Sequence, residues 1–132
     1  GECDVSLGNT YYMGKMMTNE KSPVQKKWAA AVNVIFPNQG DRGTHVNISG
    51  AGVIKSAKNK ANALLLIEFL GSDAAQKIYA EDNFEYPIKA GVKLHPNVAG
   101  WGKFKADKTF LSKIAENRTK ATRIMDKVRF NN

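Results

Sequence analysis

Cysteine and histidine are nearly missing from this chain: among 132 residues there is one cysteine, Cys3, and two histidines, His45 and His95. A single thiol cannot pair within the chain and does not make a zinc site. As a nucleophile it would need a base, and the sequence places neither histidine beside it. Two readings of Cys3 stay open, a buried structural thiol or one half of a disulfide to a segment outside this sequence. Also missing are the phosphate loop Gly-x-x-x-x-Gly-Lys-Ser/Thr, the nucleophile elbow Gly-x-Ser-x-Gly, His-Glu-x-x-His and Cys-x-x-Cys. Ser49-Gly50-Ala51-Gly52 is glycine-rich but has no Lys-Ser at phosphate-loop spacing, so it reads as a tight crossing between strands. With no nucleophile–base pair, an enzyme is not expected. Long apolar runs are absent too. The longest, Ala63 to Ile67, is far too short to span a bilayer, and the N-terminal residues lack the basic, apolar, small-residue order of a signal peptide.

What is present describes a folded chain: 42% hydrophobic and 24% charged residues. The net charge is +8 and gathers late, with nine Lys and Arg against three acids from Gly100 to Asn132. Such a tail could attract nucleic acid or an anionic membrane. Aromatic residues are not interleaved with the basic ones as stacking platforms require, so a solvated helix face is the preferred reading and no nucleic acid is expected.

Along the chain, strand and helix signals alternate. Glu2 to Leu7 alternates polar and apolar residues and reads as a short strand, followed by a strand-to-helix turn at Asn9-Thr10-Tyr11-Tyr12 and a helix from Met13 to Met17. Ser22-Pro23 opens a second helix through Ala31. Val32 to Phe36, Val46 to Ser49 and Gly52 to Lys55 read as strands. The segment 38–43 is turn chemistry with two glycines suited to positive φ. Asn59 to Leu70 is the clearest helix, so apolar that it is expected to lie against a sheet. Ser72 caps a short helix ending near Ala80; Phe84 to Ile88 is extended ahead of a loop from Gly91 to Ala106. Helices over Thr109 to Glu116 and Arg118 to Val128 close the chain. The alternation predicts an α/β protein with a mainly parallel sheet. A strand at the very start and few strands overall suggest a fragment of something larger.

Chemistry concentrates at Tyr11 and Tyr12. Adjacent tyrosines are most often ordinary core and surface aromatics. Fe(III), however, is small and hard and prefers anionic oxygen donors, and a trivalent cation favours phenolate over a phenol whose ordinary pKa is about 10. Neighbours on a strand point to opposite faces, whereas a turn lets both rings converge on one ion.

Several segments in order, Gly1-Glu2-Cys3-Asp4-Val5, Gly8-Asn9-Thr10-Tyr11-Tyr12, the run from Val34 to Asn47, Ser49-Gly50-Ala51-Gly52 and Glu85-Tyr86-Pro87, together resemble bacterial periplasmic ferric-ion-binding proteins. These are the substrate-binding components of iron(III) ABC transporters. The resemblance runs to about Val128 and matches only the C-terminal part of the family.

The resemblance implies an α/β, two-lobe periplasmic-binding-protein-like fold of type II, here as a C-terminal fragment contributing to both lobes. Residues 1–46 and 98–132 would form the lobe carrying the tandem tyrosines, and 47–97 would complete the other. It implies that Tyr11 and Tyr12 are phenolate ligands of Fe(III). Asn9 would stand in or next to the ligand sphere, where some members hold a synergistic anion such as carbonate or phosphate; as a plain turn residue it would tolerate a left-handed backbone. Arg42 would balance phenolate charge or be a turn residue only. Glu85 and Tyr86 belong to a motif near the family's hinge and are not expected to be ligands. Cys3 resembles a position that in some members pairs with an upstream cysteine, as suits an oxidising periplasm. The remaining ligands, the missing N-terminal portion and an inner-membrane permease are the implied partners. The same two-lobe fold also binds oxyanions such as phosphate or sulfate, which is the alternative reading, with a basic nucleic-acid or acidic-partner module behind it.

Overall fold

The computed structural model describes residues 3–130. Among them are seven helices: α1 Thr10–Met17, α2 Pro23–Ala30, α3 Lys60–Leu70, α4 Asp73–Asp82, α5 Pro96–Gly100, α6 Leu111–Glu116 and α7 Arg118–Lys127. None is long and apolar enough to cross a membrane.

Three of the seven helix starts, those of α2, α4 and α5, follow local chemistry. Pro23 takes the first position of α2 after Ser22, where its missing N–H costs nothing. The Ser72 hydroxyl accepts from the N–H of Ala75 at 3.2 Å and opens α4, which runs two residues past the expected end. α5 lies inside the stretch expected to be loop. Its start is made by His95, whose Nδ1 accepts from the N–H of Asn97 at 3.1 Å, and by Pro96 at the first position. A histidine cap is a weak signal in a sequence.

The expected strands are not borne out as ladders. The described residues hold one isolated parallel bridge, Thr44 with Ala106. Val32 to Phe36, Val46 to Ser49, Gly52 to Lys55 and the described part of the first segment run outside any strand ladder, and Glu2 lies outside the described residues. β-branched composition makes a segment fit for a sheet, but a strand exists only where a neighbour supplies hydrogen bonds. The turn at 38–43 forms with one of its two glycines at positive φ, Gly43 at 102°, and with Asn38 at 59° rather than Gly40 as the other such residue. Gly43 is required for a second reason, since a Cβ there would lie 2.6 Å from the carbonyl oxygen of Lys105.

Contacts group the residues into two compact units. The first comprises Gly1–Ile35 and Ile48–Lys103. Its buried apolar side chains are Ala29, Ala75, Ala80, Phe84 and Val98. Gln76, also buried, donates from Nε2 to the Leu70 carbonyl at 2.8 Å and accepts from the Ile88 N–H at 2.9 Å, so one amide ties the end of α3 to the segment after α4. The second unit comprises Phe36–Asn47 and Phe104–Asn132. Gln39 clamps it: Nε2 donates to Thr44 Oγ1 at 2.8 Å and to the Lys105 carbonyl at 3.2 Å, and Oε1 accepts from the Lys105 N–H at 2.7 Å. Phe36 stacks on Phe104 with centroids 4.3 Å apart.

Candidate metal centre

The candidate donors sit at the start of α1. Asn9 is its N-cap, extended at φ −76° and ψ 135°, and its carbonyl accepts from the Tyr12 N–H at 3.2 Å. The helix therefore begins at Thr10, three residues before the expected start, and both tyrosines lie in its first turn rather than in a turn ahead of it. The Asn9 side chain makes no capping bond, and the residue does not use the left-handed backbone it was expected to tolerate.

A helix turns about 100° per residue, so neighbours in one turn diverge far less than neighbours on a strand. The Tyr11 and Tyr12 ring centroids are 4.3 Å apart with planes tilted by 40°. Tyr12 is 55% exposed and Tyr11 half-buried. Lys15, one turn on, places its ammonium 5.1 Å from the Tyr11 ring centroid, within cation–π range.

Two electrostatic influences compete on these phenols. The N-terminal end of a helix carries partial positive charge and favours anions. The other influence is the pair itself. A hydrogen bond with the Tyr11 side chain, then the nearness of charge on Tyr11, then slight burial hold the Tyr12 phenol above its ordinary value of 10.0. The second influence wins, so Tyr12 keeps its proton at neutral pH.

The placement of the pair depends on Gly14 and Phe84, residues that sequence reasoning passed over. Gly14 is buried in α1, and a Cβ at this position would lie 2.6 Å from the Cβ and Cδ1 of Phe84 and closer still to its Cγ. Phe84 is 6% exposed, meets the His95 ring edge-on at 4.7 Å and holds a φ of 58°. Glycine inside a helix costs about 0.5–1 kcal/mol relative to alanine, and that unfavourable choice in the run Tyr11 to Met17 was the available signal. α1 also packs against α2.

The other candidates lie elsewhere in the chain. Arg42, in the second unit, directs Nε to Asp107 Oδ2 at 3.3 Å. The Asp107 carboxyl is held below its ordinary 3.8 by the Thr109 hydroxyl first and the Thr109 N–H next, with smaller help from Arg42 and His45. Cys3 is exposed, so the buried-thiol reading is corrected. The Glu85 carboxylate accepts from Ser49 Oγ at 3.3 Å and from the Asn83 amide, and burial pushes the Tyr86 phenol up. Among the described residues no three His, Cys, Asp or Glu side chains gather around a metal-sized space. A surface cleft of about 610 Å³ beside α4 is lined by Asp73, Glu81, Lys77 and Lys93, a mixed-sign set that does not select an anion.

Residues 6–106 match the family described as bacterial extracellular solute-binding protein. The iron uptake protein A1 of Synechocystis sp. is 51% identical over 126 residues, 96% of this chain and 35% of that protein. A major ferric iron-binding protein of Neisseria meningitidis serogroup B is 31% identical over 96% of this chain and 36% of its own length. Among solved structures, the apo ferric ion-binding protein A of Pasteurella haemolytica matches with a TM-score of 0.85 at 48% identity, over 95% of this chain and 38% of that one. A Trichodesmium protein in complex with iron and citrate matches with a TM-score of 0.82 at 43% identity, over 92% and 38%. The chain thus spans about a third of the length of the curated relatives it matches, and corresponds to their C-terminal portion. Its fold is the expected one, part of a two-lobe α/β architecture of type II.

Proposed function

We propose, from the premise that the chain belongs to the bacterial extracellular solute-binding protein family, that it is the part of a ferric-ion-binding transport protein that holds the metal through the Tyr11 and Tyr12 phenolates. The observation that carries this reading is the pair itself: two phenols in one helical turn, rings 4.3 Å apart, with Tyr12 more than half exposed. Relatives whose own names state iron uptake or ferric iron binding support it.

The chemistry of the donors fits a hard trivalent cation. In the absence of metal the Tyr12 proton stays on, and the cation displaces it. The start of α1 favours the negative charge that then develops on the phenolates, and Asn9, whose side chain is not used as a cap, stands where a synergistic anion would complete the sphere. Carbonate, phosphate and citrate all suit that position, and a neighbour solved with iron and citrate supports an anion of this kind. Arg42 already serves Asp107 and is the weaker candidate for charge balance.

Transport follows as part of the same reading. One lobe captures the ion, the second closes on it and adds donors from outside this chain, and a permease in the inner membrane receives it from the periplasm. Closure is driven by bonds present only in the closed state. The lobe division 1–46 with 98–132, and 47–97, belongs to this proposal; contacts within the chain group its residues differently, changing at 35/36, 47/48 and 103/104. Cys3, which is exposed, would on this reading pair with a cysteine outside this sequence.

Replacing both tyrosines by phenylalanine keeps the rings and removes the oxygens. In the full-length protein, Tyr11→Phe/Tyr12→Phe is expected to abolish the visible phenolate-to-iron absorption band and tight ferric binding. Retention of the band and of wild-type affinity would refute the assignment, and binding of phosphate or sulfate without colour would favour the oxyanion alternative.

A further inference from the structure

We infer that Gly14 and Phe84 are positioning residues for the tyrosine pair: the depth at which α1 sits on the Phe84 ring aims the two phenol oxygens, and only a residue without a side chain at position 14 permits that depth. The inference rests on the reading of Tyr11 and Tyr12 as iron ligands.

Gly14 follows Tyr11 by three residues, so the two share a side of α1. A methyl group at position 14 would meet Phe84 Cβ and Cδ1 at 2.6 Å, inside the 3.0 Å that real Cβ atoms essentially never enter. The phenyl ring has little room to retreat. It is buried, rests edge-on against His95, and belongs to a residue whose φ of 58° already constrains the backbone. His95 is itself held by the Asn97 N–H at the start of α5. The yielding partner is therefore α1, a single helix of eight residues. A shift of the helix carries Tyr11 and Tyr12 with it, and ligand constellations are productive only within about 0.5 Å of their geometry.

The test uses Gly14→Ala, Phe84→Leu and the double variant Gly14→Ala/Phe84→Gly in the full-length protein. Iron affinity is measured by competition with citrate, together with the position of the phenolate-to-iron band and the melting temperature of the iron-free form. Glycine is the required rescue at 84, because the Cβ of Phe84 is itself within 2.6 Å and because glycine takes a φ of 58° without strain. Gly14→Ala is expected to weaken binding about 10- to 100-fold, as altered supports of metal ligands do, and to shift the band. Phe84→Leu should do the same to a smaller extent, and the double variant should recover most of the affinity and the original band position.

A purely structural role would lower the melting temperature and leave the band where it is. Wild-type affinity with an unshifted band in Gly14→Ala overturns the inference, as does a folded double variant no better than the single one. Should Gly14→Ala fail to fold, Phe84→Leu decides, an unshifted band there counting against the inference. A parent protein that shows no band, or keeps it in Tyr11→Phe/Tyr12→Phe, defeats the ligand assignment and is thereby told apart from a failure of positioning alone.

Discussion

Helix α3 is the most apolar in the chain and buries none of its residues, whereas α1, of more mixed composition, is seated on a phenyl ring so closely that one of its positions must be glycine. Leu64, Leu65, Leu66 and Phe69 are all around half exposed. The difference separates two meanings of a sequence pattern. An apolar helix face states that a covering surface would be favourable, at about 25 cal/mol per Å² removed from water, but does not supply one. Gly14, inside α1, instead marks a contact already made, because a Cβ there would collide with the Phe84 ring. α1, the helix whose contacts are met, is the one that carries the candidate donors.

The comparison is broken most directly by truncating one residue from each side of it. Phe84→Ala is expected to destabilise the chain by about 3–5 kcal/mol, the usual range for a buried phenylalanine, while Leu65→Ala, at a position 63% exposed, should stay within about 0.5 kcal/mol. Urea unfolding midpoints measure both. Equal losses would mean that α3 is covered after all.

A second test sharpens the chemical side of α1. Tyr11 holds the Tyr12 phenol above its ordinary 10.0, so under the proposed ligand role Tyr12 is expected to release one proton for each ferric ion bound from pH 6 to 8. Its contribution makes the logarithm of affinity rise by about one per pH unit. Proton release measured in weakly buffered solution should fall by one per iron in Tyr12→Phe. An unchanged count would remove Tyr12 from the ligand set and leave α1 as a helix with well-met contacts and no chemistry.

The smallest expected effect concerns another helical glycine. Gly100, the last residue of α5, has no heavy atom within 4 Å of a would-be Cβ and no positive φ. Gly100→Ala should therefore stabilise by about 0.5–1 kcal/mol, a gain in melting temperature, where Gly14→Ala produces a loss. The same sign at both positions would show that the Phe84 seat imposes no constraint.

Legibility followed the range of the interactions. The openings of α2 and α4 could be read from Pro23 and from the Ser72 cap, because both act within one turn of their own residue, although the Ser22 side chain makes no capping bond. The strands were misread for the opposite reason: Val32 to Phe36 has the right composition, but its hydrogen bonds must come from a distant segment. The candidate donors were legible as a chemical type and by resemblance, but their setting was not. The strand-to-helix turn expected to bring the rings together is instead the first turn of α1, and Asn9 acts through its backbone. Arg42 was legible as a charge near a turn, while its partner Asp107 is 65 positions away.

By itself the sequence determined the kinds of oxygen donor available, the lack of a thiol or imidazole cluster, the basic C-terminal stretch and the local starts of several helices. Each of these depends on residue identity or on groups a few positions apart. Tertiary structure alone decided that Gln39 would clasp Lys105, that Phe84 would demand a glycine at position 14, and that the apolar face of α3 would find no cover among the described residues. Those outcomes depend on which remote surfaces meet, and loop closure between distant segments leaves no local trace in composition or spacing.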